Sequence, residues 1–318
     1  MNLSLRCRIC RNEENNKVLI AKERMFGLGA EFEYIECGLC GCLQIKEYLQ
    51  DPAPYYPGDY YSVNVDRSYG LIRAIKAFRN RMSYQPVGFL GVMVNRFIPE
   101  NRYQSLRDLR KNKSQSILDI GCGSGEMLKS LQRWGFSNLH GVDPFIEKDV
   151  VYDGVVKICK KTTQEISGKY DFIMMHHSFE HMQNPAEVLT TLRSHLTDDG
   201  TILIRIPVGR SFAYETYKSN WVQLDAPRHL YLHTTESMQV MCSNVGLEIV
   251  NVHFDSMPFQ FWGSEMYKDK IPLISNSGKN RIRYFIKYRL FNNYAAKSRK
   301  LNREQRGDQA AFYIKKRI

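Results

Sequence analysis

Cys7-x-x-Cys10 and Cys37-x-x-Cys40 are separated by 26 residues. Two such knuckles bring four thiolates within tetrahedral reach of one zinc ion. With sulfur at all four positions the metal would be structural, leaving no place for a water molecule. Cys42 could compete for one position. A pair of disulfides is the other reading, and it does not suit a chain expected in a reducing compartment. The remaining cysteines, Cys122, Cys159 and Cys242, are scattered and read as semi-buried thiols.

Residues 117–128 read ILDIGCGSGEML, with glycines at 121, 123 and 125 directly after an apolar run that contains Asp119. A glycine turn between a strand and a helix lets a ligand approach the backbone at the positive end of the helix. A P-loop would continue Gly-Lys, whereas Gly125 is followed by Glu126 and Met127. A dinucleotide loop spaces its glycines G-x-G-x-x-G. Here the spacing is one residue tighter, and Glu126 would repel a pyrophosphate. The ligand class left is a nucleoside without phosphate. The run NLHGVD ends in Asp143, twenty-two positions after Gly121, where an acid can accept both ribose hydroxyls.

This run resembles the signature of the class I S-adenosylmethionine-dependent methyltransferases: a strand, Asp-x-Gly-x-Gly-x-Gly, a helix, then a strand ending in an acid. The resemblance continues through YDFIMMHHSFEHMQNPAEVL and LTDDGTILIRIPV, covering 116–206 closely and 235–318 loosely. It implies that Asp119, Gly121, Cys122, Gly123 and Gly125 cradle the methionine and ribose part of S-adenosylmethionine. Asp143 would hold the ribose hydroxyls, and Pro144 or Phe145 would line the adenine. His176 and His177 would lie near the methionyl group. A degenerate fold that no longer binds cofactor, acting as a scaffold, is the alternative.

Methyl transfer to oxygen or carbon needs a base, and histidine is the natural one at neutral pH. His181 in SFEHM follows the expected fourth strand, and His229 in LDAPRHLYLH follows the fifth. A cysteine unit, a class I core and these two histidines resemble the methyltransferases of bacterial sugar and surface-polysaccharide pathways, many of which carry W-x(3)-D-x-P-x-H. Trp221, Asp225, Pro227 and His229 match that pattern. Against the sugar C-methyltransferases, Arg228 stands in place of Glu and Ala226 in place of Tyr. The resemblance implies His229 as general base with His181 supporting it. Arg228 could bind a substrate carboxylate or phosphate, and Asp225 could orient a histidine. The plainer readings are that His181 ties down a turn, that His229 packs a loop and that Glu180 bonds backbone. Trp221, Tyr214 and Tyr217 could stack on a sugar or cover a sheet edge.

The elements that must position these residues follow from periodicity. Residues 1–46 form a small ribbon-like cysteine unit. Residues 47–115 form a proline- and tyrosine-rich connector with helices, the first carrying Leu71, Ile72, Ile75, Phe78 and Met82 at helical spacing opposite Arg73, Lys76, Arg79 and Arg81. A second helix is expected over 101–111. From 116 to 318 short apolar runs alternate with helical stretches, which predicts a parallel sheet with crossover helices. The expected fold is α/β, a Rossmann-like sheet with helical insertions at about 207–232 and 256–309. Asn184-Pro185 suits a helix start and Gly200 a turn into the next strand. Strands are expected at 247–254 and 310–316.

The net charge of +12 lies in the last 51 residues: fifteen Lys/Arg stand there against Asp269, Glu304 and Asp308. Over 281–301 apolar positions keep helical spacing among basic ones. Such a helix can dock on the core, lie on an anionic membrane or meet RNA phosphates. The expected acceptor is a sugar, sugar-nucleotide or related small molecule. An RNA methyltransferase gripping through the cysteine unit and the basic insertion is the rival. The longest apolar run, VGFLGVMV at 87–94, is too short to cross a bilayer, and the polar N-terminus predicts a cytoplasmic protein.

Overall fold

The computed structural model describes residues 5–56, 70–274 and 293–317. The chain divides into two compact units, one of Met1–Tyr55, His177–Thr190 and Arg205–Ile318, the other of Tyr56–His176 and Thr191–Ile204. This division cuts across the boundaries expected at 46 and 115.

In the first unit, β1 (Lys17–Lys22), β2 (Glu31–Glu36) and β3 (Leu43–Ile45) form an antiparallel ribbon. A fourth strand comes from far along the chain: β10 (Tyr231–Leu232) pairs antiparallel with β3. Apolar residues of both segments share one core, in which Ala21, Tyr34, Leu43 and Ile45 pack with Ala213, Trp221, Leu224 and Leu232. The irregular stretch 207–232 is therefore the other half of the ribbon's core. It carries α6 (Phe212–Tyr217), N-capped by the Ser211 side chain, and a cis Ala226–Pro227 bond. The capping box of Thr234 and Ser237 starts α7 (Thr235–Asn244). β11 (Leu247–Phe254) and β12 (Gln309–Lys316) pair antiparallel, close to the expected bounds. Between them lie α8 (Phe259–Lys268) and α9 (Tyr294–Arg303). Of the basic helix expected over 281–301, residues 281–292 lie outside the described residues, and α9 takes up the rest.

The second unit begins with α1 (Gly70–Tyr84), α2 (Gly88–Phe97) and the short α3 (Asn101–Gln104). The helix expected over 101–111 is instead α3 followed by a 3-10 turn at Arg107–Lys111. The sheet follows in strand order β9-β8-β4-β5-β7-β6. Its members are β4 (Ile117–Ile120), β5 (Leu139–Val142), β6 (Val150–Tyr152), β7 (Val156–Cys159), β8 (Tyr170–His176) and β9 (Leu196–Pro207). β4 pairs parallel with β5 and β8, and β5 with β7. Every residue of β4 is buried, as in a central strand covered on both faces. α4 (Glu126–Arg133) buries Met127, Leu128 and Leu131 as one stripe. α5 (Pro185–His195) starts at the expected proline, with Asn184 accepting from the Val188 N–H. This is the Rossmann-like α/β arrangement.

Two features differ from the expectation for local reasons. Gly200 makes no turn: it lies inside β9, where a Cβ would come within 2.7 Å of the Leu196 side chain. The antiparallel β6–β7 edge was not expected, although Asp153 and Gly154, both left-handed (φ 49° and 70°), turn the chain between its two short strands as Asp-Gly does in a hairpin. Among the described residues no helix is long and apolar enough to cross a membrane.

Candidate functional site

The glycine run leaves β4 and enters α4 through three left-handed residues, Gly121 (φ 72°), Gly123 (φ 52°) and Gly125 (φ 74°). Only glycine adopts such angles without strain. The loop is closed by Gly125 N–H donating to Cys122 O at 2.9 Å and tied to β5 by Gly121 N–H donating to Val142 O at 2.9 Å. A Cβ on Gly125 would lie 2.2 Å from Ile158 Cδ1. The glycines are thus required by the fold as well as by any ligand.

Asp143 follows β5 at once. Its Oδ2 accepts from Gly123 N–H and its Oδ1 from Phe145 N–H, both at 2.9 Å. Each carboxylate oxygen keeps a further lone pair, so Asp143 can brace the glycine loop and still accept two hydroxyls. Asp119, 5% exposed, has its carboxyl raised to about 7 by burial and by Asp143, against Arg102. Cys122 is half-buried, with its thiol pushed up by burial and by the two aspartates. Pro144 and Phe145 are exposed beside Asp143, and His176 closes β8. All these lie in the second unit. The cradle fits a flat nucleoside with a cationic amino-acid tail: a bare backbone, an acid with capacity for two hydroxyls and a second acid poised to ionise.

His177, expected beside His176 at the cofactor, belongs to the first unit. It turns into the left-handed region (φ 52°). Its Nε2 accepts from Arg205 Nη1 at 3.0 Å, because a guanidinium can only donate, and its Nδ1 lies 3.3 Å from Glu180 Oε1. Arg205 is paired in turn with Asp255 at 2.6 Å.

Glu180 is the residue that the sequence reading undervalued. It is fully buried, and neither oxygen meets a well-directed donor among the described residues. Burial pushes its carboxyl up, but His177 foremost, with His181 and His229, outweighs that and holds it at about 2. A buried anion at the head of a short turn had one signal, the Glu-His adjacency before Asn-Pro.

His181 and His229 stand edge to face, ring centroids 4.9 Å apart. Each donates Nδ1–H to a backbone carbonyl, His181 to Arg228 O at 2.8 Å and His229 to Gln223 O at 2.7 Å. That fixes the tautomer and leaves each Nε2 with a lone pair. His229 Nε2 lies 3.9 Å from both Glu180 Oε1 and Asp225 Oδ2. Burial and the neighbouring His229 hold His181 below the usual imidazole range, against Glu180. Such a pair can take a proton at Nε2 of His229, with the anion of Glu180 stabilising the imidazolium formed. One ligand atom each from Glu180, His181 and His229 also lies within 4.8 Å of the others, a separation that one cation could bridge.

Arg228 does not face a substrate. It is 1% exposed. Its donors go to Asp225 (2.6 Å), Glu23 (3.0 Å) and Tyr55 O (3.2 Å). Burial alone would lower its affinity for a proton, and the two carboxylates raise it well above the ordinary value. The assignment of Arg228 to a substrate anion is therefore corrected: Arg228 clamps the loop that carries His229. Asp225 serves Arg228 first and His229 at longer range. Trp221, expected on a sugar or a sheet edge, is buried with its Nε1–H on Asp308 at 3.0 Å.

The four cysteines converge. Cys7 and Cys40 Sγ are 3.7 Å apart, Cys10 and Cys37 Sγ 3.5 Å, and all four lie within 4.8 Å of one another. Zn–S bonds of about 2.3 Å in a tetrahedron place sulfurs about 3.8 Å apart. All eight cysteines are free thiols, so the disulfide alternative is not realised. Each knuckle is closed the same way, by Arg11 N–H to Cys7 O and Gly41 N–H to Cys37 O, with a left-handed residue at the closing position. Cys42 faces elsewhere, its Sγ 3.8 Å from His233 Nδ1.

The methyltransferase domain family matches residues 94–252, half of the chain. The mitochondrial ubiquinone biosynthesis O-methyltransferase of Saccharomyces cerevisiae is 28% identical over 114 residues, 32% of this chain and 36% of that protein. The chain thus aligns with about a third of that relative's length. An O-methyltransferase of a Brevibacillus brevis multienzyme, solved with S-adenosyl-L-homocysteine, superposes with a TM-score of 0.43 at 17% identity, over 75% of this chain and 79% of that one. An S-adenosylmethionine-dependent methyltransferase of Archaeoglobus fulgidus gives 0.42 at 20% identity, over 72% and 100%.

Proposed function

The chain belongs to the methyltransferase domain family, and from that premise we propose that it transfers the methyl group of S-adenosylmethionine to an oxygen or carbon of a sugar or related small molecule. The observation that carries the reading is the glycine loop: three left-handed glycines braced by Asp143, an acid whose oxygens keep capacity for two hydroxyls. The cofactor supplies a methyl carbon on a cationic sulfur, and the leaving group is a neutral thioether. The chain's own residues do the rest. Asp119, Gly121, Cys122, Gly123 and Gly125 receive the amino-acid and ribose part, Asp143 the hydroxyls, and Pro144 and His176 border the site. His229 Nε2 accepts the acceptor's proton, while Nδ1–H stays on Gln223 O and Glu180 balances the new charge. His181 supports it. Cys7, Cys10, Cys37 and Cys40 hold a structural zinc ion, in a protein that works in the cytoplasm.

Calorimetry of the purified protein with S-adenosylmethionine and S-adenosylhomocysteine, with metal counted in the same sample, tests this. Micromolar binding and one zinc per chain are expected. His229→Ala should leave cofactor binding alone and cut turnover by ~10²–10⁴-fold. Two metal ions per chain, the second lost in Glu180→Gln, would make the histidines ligands and remove the base assignment. A folded, zinc-loaded protein that binds neither compound would make the loop a relic.

A further inference from the structure

Helical spacing puts Leu71, Ile72, Ile75 and Phe78 on one side of α1, a face that could cap a site or join domains. All four are exposed, Leu71 by 75%. Only the C-terminal end of α1 is anchored: Met82, Ser83 and Tyr84 are buried, and Tyr84 stacks on Trp134 at 4.6 Å. α2 is more apolar still, and of its residues only Gly91 is buried, against Met82. Phe89 (82%) and Leu90 (64%) project from its first turn and Phe97 (61%) from its last. Left in water, side chains of this size on two adjacent helices form a patch that soluble surfaces rarely carry.

The charge of the same segment says what covers it. Residues 70–98 contain Arg73, Lys76, Arg79, Arg81 and Arg96 and no Asp or Glu. Arg79 is neutralised by Glu100 from outside the hairpin, and Arg81 lies over the Tyr84 and Trp134 rings. Arg73 and Arg96 are exposed among the apolar side chains. A second copy of this chain would bring cations against cations. A nucleic acid would leave the aliphatic side chains unused. Apolar residues long enough to enter the acyl boundary, ringed by arginine and lysine, match an anionic lipid surface on both counts.

We propose that the α1–α2 hairpin is a membrane-docking element that inserts Phe89, Leu90 and the exposed face of α1 into the interface of an anionic bilayer. The hairpin belongs to the unit that carries the glycine loop. A lipid-borne acceptor would follow only if the methyl-transfer reading holds; the docking does not depend on it.

The test is co-sedimentation of the full chain with vesicles of phosphatidylcholine, with and without 30% phosphatidylglycerol. Partition onto the anionic vesicles is expected, weakening with salt and weak on pure phosphatidylcholine. Phe89→Asp with Leu90→Asp should abolish it. Arg73→Ala with Arg96→Ala should lower it roughly 30-fold, at about fivefold per charge. Both variants should keep the wild-type affinity for S-adenosylhomocysteine and the wild-type melting temperature, because the replaced side chains are exposed. Absence of partition, equal partition of the variants, or concentration-dependent self-association that Phe89→Asp with Leu90→Asp removes would each overturn the proposal. The last result would assign the face to a second copy of the chain. A chain that docks but binds no cofactor would keep this proposal and sink the enzymatic one.

Discussion

Asp119 and Asp143 share one loop but have opposite duties. Asp143 accepts from two backbone N–H groups and braces the loop, whereas burial and Asp143 raise Asp119 to about 7. A carboxyl raised in the folded state contributes stability below its unfolded value, and that contribution is lost as pH climbs through the folded one. The ligand-free protein should therefore lose stability from about pH 4 to about pH 7 on account of Asp119. A cationic ligand tail beside it draws the proton off. Affinity for S-adenosylmethionine should rise with pH up to about 7, with proton release visible as a dependence of binding heat on the buffer's ionisation enthalpy. Asp119→Asn should flatten both trends; a pH trend that survives in that variant would place the titrating group elsewhere. Asp143→Ala removes the loop brace together with the hydroxyl acceptor, so the cofactor dissociation constant should rise roughly 10- to 100-fold. Unchanged affinity in a folded variant would end the ribose assignment.

Between elements, the cysteine ribbon and the histidine loop hold each other. Tyr34 donates its hydroxyl to His229 O at 2.8 Å, Ile45 N–H donates to Leu230 O at 2.9 Å, and Glu23 holds Arg228. Thr234, which caps α7, donates to Cys40 O. The ribbon is thus a frame for the proposed base. If the four cysteines hold zinc as proposed, a chelator should cut turnover by at least tenfold while S-adenosylhomocysteine binding, proposed for the other unit, changes less than twofold. Equal loss of both would mean that the ribbon supports the whole chain; loss of neither would free His229 from it. Glu23→Gln, which weakens the clamp on Arg228, should act in the same direction and destabilise by ~3–5 kcal/mol, as breaking a buried pair does.

Across the whole molecule the two compact units should answer different ligands. S-adenosylhomocysteine should slow amide hydrogen exchange over 117–145, and zinc removal should speed it over 5–46 and 225–234. Exchange that changes together in both sets would contradict the division. The cysteine spacing, the glycine run and the alternation of apolar runs with helical stretches were legible because each is set by local physics: ligand geometry, left-handed backbone and side-chain period. β11 and α5 appear within a residue of their expected starts for that reason. What the chain order could not show is who meets whom at long range. Arg228 looks like a substrate clamp until Glu23, 205 residues away, closes on it. Glu180 looks like a turn residue until three histidines surround it. Helical spacing likewise marks α1 as amphipathic without saying whether its apolar face meets a core or, as here, nothing among the described residues. Periodicity fixed which residues share a face. Only the tertiary packing decided which faces are covered and which charges are paired, because burial and pairing are properties of neighbours that sequence distance does not encode.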